Sequence, residues 1–251
     1  MTRIGWIRLG VVVGAVLLLE VLCRTGVIDP QTVIAPSAMA VALFDLLRSG
    51  EMNADIASTL TNVAIAFVAA VVGGFAIGVG LHAVPPLRRA ADPLLATYYA
   101  IPFFVFYPVL IALFGMNDLP IIVIGFLFAV VAMVINTLNG LDRIPPVLLK
   151  TARLMHMGPL NTALRVKLPS AAPYLFTGVK LAVAYAFIGV IAAEFILSTS
   201  GLGYSIAYAY NNFDNARMYA LMLFIIILVT AVNMAFYVWE QNQMQRRRRP
   251  S

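Results

Sequence analysis

Few residues in this chain can do chemistry on their own. The 251 residues include two histidines, His82 and His156, one cysteine, Cys23, and 11 acids. There is no H-E-x-x-H pair at helical spacing, so a zinc site of that kind has no ligands. No Ser/Lys or Asp/Asp dyad lies deep inside an apolar run, which removes the usual intramembrane nucleophiles. A single cysteine makes neither an intrachain disulfide nor a cysteine-rich metal site. No G-x-x-x-x-G-K-[S/T] loop is present to cradle nucleotide phosphates. The expectation for this chain is therefore no catalytic residue, no metal and no cofactor of its own. What remains is a surface, Ile144–Pro173, reading IPPVLLKTARLMHMGPLNTALRVKLPSAAP. With Arg143 just before it, it carries Lys150, Arg153, Arg165 and Lys167 and no acid.

The elements that must hold this stretch are oily. The chain is 62% hydrophobic and 11% charged, with a mean hydropathy of +0.92. Soluble domains are about 45–50% apolar and about 25% charged, so the solvent here is lipid. The net charge of +6 sits in clusters at the ends of apolar runs. That pattern points to topology and anionic lipid, not to nucleic acid. Arg3 and Arg8 before Leu9–Leu22 mimic a signal peptide, but no small-x-small cleavage site follows, so this is an uncleaved first span.

Six runs approach the roughly 20 residues that a helix needs to cross about 30 Å of hydrocarbon. They are about Trp6–Cys23, Ile56–Leu81, Pro93–Phe114, Pro120–Leu138, Pro173–Leu197 and Met218–Trp239. The fold class is all-α, a polytopic membrane protein forming one membrane domain over 1–251. With the N-terminus inside, 13 of the 17 basic residues fall on the inner side, including Arg88, Arg89 and the run Arg246–Arg249. Both termini are then cytoplasmic, and so is Ile144–Pro173, which joins the fourth and fifth spans.

Local signals fill in the frame. Pro36-Ser37 starts a short amphipathic helix that ends at Gly50. Gly73, Gly74, Gly78 and Gly80 read as close helix packing in the second span, and His82 as a solvated interfacial histidine. The third span carries Pro102 and Pro108 among aromatics. Kinks are tolerated where a membrane helix lines a cavity, so Tyr99, Pro102, Phe103 and Tyr107 are candidates for a translocation path. Glu194 stands about 13 Å outward of mid-span, close to the outer interface. The glycines of Ser198–Tyr210 suit a re-entrant turn, and Tyr204 within it is the last path candidate. In the inner stretch, Leu148, Ala152 and Met155 recur at i, i+4 and i+7 as an apolar face. Gly158-Pro159 breaks that helix, and a second short helix runs from Leu160 to Lys167 and ends at Leu168-Pro169. The result is a rigid elbow.

This elbow resembles the cytoplasmic loop of bacterial ABC importer permeases, E-A-A-x-x-x-G followed after nine residues by apolar-x-Leu-Pro. Leu168-Pro169 aligns with the last pair, Val166 with the apolar position, and Lys150-Thr151-Ala152 with E-A-A. Lys150 replaces the acid and His156 the glycine. Asp92-Pro93-Leu94, Ile101-Pro102, Tyr107-Pro108, Asn136-Thr137, Leu168–Tyr174, Ala193-Glu194 and Gly201-Leu202-Gly203-Tyr204 look like the branch serving nitrate, sulfonate, taurine and thiamine-precursor uptake. The resemblance covers most of the chain from about residue 34.

The resemblance implies a bacterial inner-membrane complex. It would contain an ATPase dimer that binds ATP and Mg, a second permease copy, identical or different, and an extracytoplasmic substrate-binding protein. In that family the loop helix sits in a cleft of the ATPase. The ATPase-coupling residues carried over are Leu148, Lys150, Thr151, Ala152, His156, Gly158, Leu168 and Pro169. The cargo implied is a small organic solute or anion. A secondary carrier or channel would need buried ionisable residues or an inverted repeat, and neither is evident in the sequence.

Overall fold

The computed structural model describes residues 3–29 and 32–248. Eleven α-helices are present among the described residues, and no strand. Among the described residues five helices are long and apolar enough to cross a membrane, or six if a bent pair counts as one span. Arg249, the last of the arginine run, lies outside the described residues. The chain divides into two compact units, Met1–Ser58 with Glu194–Leu228, and Thr59–Ala193 with Val229–Ser251.

In the larger unit the central element is α6 (Leu119–Asp142), the most buried of the long apolar helices. It packs against α3 (Asn53–Ala83) and α9 (Leu168–Leu197) through small residues. Lipid offers no hydrophobic drive between helices, so membrane helices associate by close contact and dispersion. On the α3 side, a Cβ at Gly74 or at Gly78 would come 2.7 Å from Met133 or Thr137 respectively. On the α9 side, a Cβ at Gly189 would come 2.8 Å from Gly125 Cα, one at Gly178 2.9 Å from Asn136, and one at Gly140 3.1 Å from Ala171. Of the glycines expected to pack in the second span, Gly74 and Gly78 do so most tightly. Gly73 meets only the Phe126 ring, and a Cβ at Gly80 would meet nothing within 4 Å.

The third span, read at Pro93–Phe114 with its two prolines inviting kinks, is sharply broken. It consists of α4 (Pro85–Thr97) and α5 (Tyr107–Phe114), joined by 3-10 turns at Tyr98–Ala100 and Phe103–Phe106 and bent by 91°. Pro102 has no N–H to give, and Ile101 before it is extended, with φ −80° and ψ 119°, as proline demands of its predecessor.

In the smaller unit, α1 (Arg3–Arg24) holds the first turn of α2 (Pro36–Ser49). Glu20 accepts the Ser37 N–H at 2.9 Å and the Ser37 hydroxyl at 2.6 Å, an acid placed on free N–H groups at a helix start. The α2 helix begins at Pro36 and ends before Gly50, at φ +73°, as its turn chemistry predicts. The expected turn at Ser198–Tyr210 is mostly helix, α10 (Leu202–Asn211). Two acids hold its start. Asp55 accepts the Gly201 N–H at 3.0 Å and the Ser205 hydroxyl at 2.6 Å, and Glu194 accepts the Gly203 N–H at 3.1 Å. Gly201 is left-handed (φ +97°), and a Cβ there would overlap the Glu194 carboxylate. Met52, Leu202, Ile206 and Leu221 form the core beside this clamp. The last helix is α11 (Asn215–Arg248).

Two outcomes test this packing. Gly125→Ile should lower stability by about 1–3 kcal/mol through overpacking against α9, whereas Gly80→Ala should not, as read from thermal unfolding in detergent. Asp55→Ala should cost about 1–3 kcal/mol by stranding its donors, whereas Ala at the exposed Asp45 should leave the unfolding midpoint unchanged.

Candidate functional site

The stretch after α6 folds as an elbow. Pro145 and Pro146 open α7 (Pro146–Leu154), proline being well suited to a first helical turn. A single turn, α8 (Pro159–Thr162), follows, and then a π turn at Ala163–Lys167. That turn runs straight into α9, so the chain is one long helical segment over Pro159–Ile196. Leu168-Pro169 therefore does not end a helix as the sequence reading expected. Pro169 would otherwise clash with the Arg165 carbonyl four residues back, and the wider π turn lies over that carbonyl. The α7 helix lies against the same π turn.

Both roots of the elbow are tied down. Asp142, the last residue of α6, takes a bidentate pair from Arg88 at 2.6 and 2.5 Å, with His82 Nδ1 at 3.1 Å. The charge-assisted fork fixes the ends of α3 and α6 and the start of α4 together. His82 is therefore paired, not merely solvated. Arg143 donates to the Tyr174 hydroxyl at 3.0 Å and lies over the Tyr174 ring, joining the end of α6 to α9. The sequence clue to the Arg88–Asp142 pair was weak. Asp142 is simply the last acid before a basic segment, and its partner is 54 residues away.

The apolar face of α7 is not where the i, i+4, i+7 pattern alone put it. Ala152 is buried at 3% exposure and Ile144 beside it at 6%, whereas Leu148 and Met155 are exposed. At about 100° per residue, Val147, Leu148, Thr151, Leu154 and Met155 share an arc of about 120°. Leu154 is 81% exposed and Met155 69%, so this chain leaves the whole stripe uncovered. Lys150 flanks it, one turn before Leu154, and is also exposed.

The helix closes in a Schellman motif. The His156 N–H donates to the Arg153 carbonyl and the Met157 N–H to the Ala152 carbonyl, each at 3.0 Å. The position after the cap is left-handed in such a motif and usually glycine, and here His156 holds it with φ +50°. For a residue with a Cβ that costs about 1–2 kcal/mol. Gly158, the glycine that marks the break in sequence, has φ −62° and needs no glycine. The structure thus gives a physical reason for glycine at the position where the resembling loops carry it.

Of the eight coupling candidates, Leu148, Lys150, Thr151 and Ala152 lie on α7, His156 and Gly158 in the turn after it, and Leu168 and Pro169 at the start of α9. The path candidates divide between the two units. In the larger one, Phe103 and Tyr107 are buried, at 6% and 3%. The Phe103 ring lies tilted against Tyr98 at 4.8 Å and meets Phe128 edge to face at 5.7 Å. Tyr99 is 47% exposed beside Pro102, its ring 5.1 Å from that of Tyr185. In the smaller unit Tyr204 is half-buried and pairs with Tyr208 at 6.1 Å. Glu194 is 1% exposed, its carboxylate engaged with the start of α10. The Gly203 N–H gives this buried carboxylate a backbone partner.

Comparison with known proteins follows the same lines. The chain is 29% identical over 170 residues to the nitrate import permease protein NrtB of Leptolyngbya laminosa, covering 68% of this chain and 61% of that protein. It is 27% identical over 206 residues to the putative aliphatic sulfonates transport permease protein SsuC of Bacillus subtilis, covering 81% and 74%. The match spans about three fifths of the length of the nitrate permease. In structure it superposes on a chain of the MetNI methionine ABC transporter, solved in an inward facing conformation, with a TM-score of 0.64 at 20% identity, covering 75% of this chain and 94% of that one. That likeness establishes the fold. Residues 70–249, which include the bent span, the tightly packed α6 and the elbow, match the family described as the binding-protein-dependent transport system inner membrane component, and the chain belongs to that family.

Proposed function

We propose that this chain is the transmembrane permease subunit of an ATP-binding-cassette importer. It works with an ATPase dimer that binds ATP and Mg, a second permease copy and an extracytoplasmic substrate-binding protein. Both termini and the elbow lie in the cytosol, as the distribution of Lys and Arg favours. The observation that carries the reading is the exposed apolar stripe of α7, fixed at both roots and continuous with a membrane span. An uncovered stripe of this kind on a rigid element fits a groove in a soluble partner. A push on α7 passes through the π turn to α9, and through Arg88–Asp142 to α3 and α4. Closure of an ATPase dimer around bound ATP supplies such a push, and this chain adds no chemistry of its own.

The bent third span supplies a wall of the path. Non-helical backbone at membrane depth is tolerated where protein covers it or water lines it, and Tyr99 and Ile101 at the bend are exposed in the single chain. Tyr99, Pro102, Phe103 and Tyr107 then face or support a cavity shared with the second copy, while Glu194 and Tyr204 order the α10 segment. The relatives named for nitrate and aliphatic sulfonates support a small oxoanion as cargo.

Reconstitution of the complete transporter in liposomes tests the reading. Leu154→Asp should cut ATP-driven uptake at least about tenfold, a loss of about 1.4 kcal/mol in coupling, with normal insertion of the permease. Ala152→Glu is a poorer probe, because Ala152 is buried and the change would disturb the elbow itself. Uptake unaffected by Leu154→Asp, or wild-type uptake without an ATPase, would remove the coupling role. For the cargo, calorimetry on the transporter's own binding protein should register nitrate or a short alkanesulfonate. Binding of a neutral solute alone would overturn the oxoanion assignment.

A further inference from the structure

The rim around the α7 stripe has one sign of charge. Lys150, Arg153 and Arg165 are exposed, and none forms an ion pair among the described residues. From Arg143 to Ala193 the sequence contains no acid. His156 adds an exposed imidazole that makes no hydrogen bond or ion pair among the described residues. It is held there at the expense of a left-handed backbone that glycine would occupy freely. A strained residue with an unused side chain directs attention to what that side chain meets. The other non-glycine left-handed residue among those described, Phe213, closes α10 in the same motif and is 89% exposed.

The two departures from the resembling loop pattern point the same way. Lys150 stands where that loop carries an acid, so the charge beside Leu154 is inverted. His156 stands where it carries a glycine, so a ring donor is added. Neither side chain has an ion-pair or hydrogen-bond partner among the described residues. A cation whose mate is absent from its own fold finds it across an interface, or is left in water.

We propose that the elbow is a charge-inverted docking element, whose ATPase presents an acidic rim around an apolar groove. Lys150 and His156 are the residues that discriminate this ATPase from those that receive acid-bearing loops. The inference rests on the coupling role proposed above for the same elbow. Leu154 and Met155 fill the groove, and Lys150 pairs with a carboxylate at its edge. The His156 imidazole donates to an acceptor beyond the helix end. Complementary charge of this kind sets partner choice and salt dependence more than raw affinity.

The test is assembly of the complete transporter in neutral detergent, where anionic lipid cannot substitute for the ATPase. Assembly is followed by co-purification of the permease with its own ATPase at low and high KCl, and uptake is then measured in liposomes. Lys150→Glu should weaken assembly at least about tenfold at low salt, and by much less at high salt as screening removes the repulsion. Lys150→Gln should fall between Lys150→Glu and wild type. His156→Gly should raise thermal stability yet weaken assembly about threefold. A purely structural role for His156 predicts equal or tighter assembly for the glycine variant. If Lys150→Glu and His156→Gly assemble and transport as wild type while Leu154→Asp abolishes uptake, the charge inversion is wrong and the docking face stands. If Leu154→Asp is also silent, the coupling role fails and this inference fails with it.

Discussion

Close backbone contact along α6 is the constraint on which the larger unit depends. In lipid, burying a leucine against another helix gains little over burying it against acyl chains, so association falls to packing distance and polar ties. Glycines at 74, 78, 125, 140, 178 and 189 bring α3, α6 and α9 to where a Cβ would collide. The helices thereby form a stiff block, and the Arg88–Asp142 fork locks its end. The elbow starts two residues beyond that lock, at Ile144.

Stiffness is what the proposed coupling role asks of the elbow. A flexible loop would absorb a push from a partner, but α7 is braced on a π turn that runs on into α9. The smaller unit answers a different need. The start of α10 exposes backbone donors that Asp55 and Glu194 satisfy, so two acids that composition alone marks as unfavourable near lipid serve to order a helix. Both carboxylates are thereby engaged with the start of α10.

Much of this was legible in the sequence for physical reasons. Runs of apolar residues fix spans, because a helix needs a set length to cross hydrocarbon. Pro36 and Gly50 fixed the ends of α2, because each residue type has one backbone habit. Less was legible where tertiary contact decides. Ala152 looked like part of an apolar face, but its small size lets it bury, and the larger residues beside it stay exposed. Pro169 looked like a helix end, because a π turn leaves no signature in composition. The bend after Thr97 was seen only as two prolines, and its 91° angle needed the fold. His156 showed the limit most clearly. As a departure from a motif it carried no mechanism, and as a left-handed residue in a Schellman cap it does.

The central claim is that the exposed α7 stripe seats in the ATPase. Cys23 is the only native cysteine, so a Leu154→Cys variant in a Cys23→Ser background carries a single thiol. Oxidation of the assembled transporter, with single cysteines scanned across the ATPase surface facing the membrane, should give a permease–ATPase disulfide whose yield changes between nucleotide-free and ATP-bound states. A Leu154 thiol that forms no cross-link in either state, yet reacts freely with soluble maleimide in the assembled complex, would contradict the account.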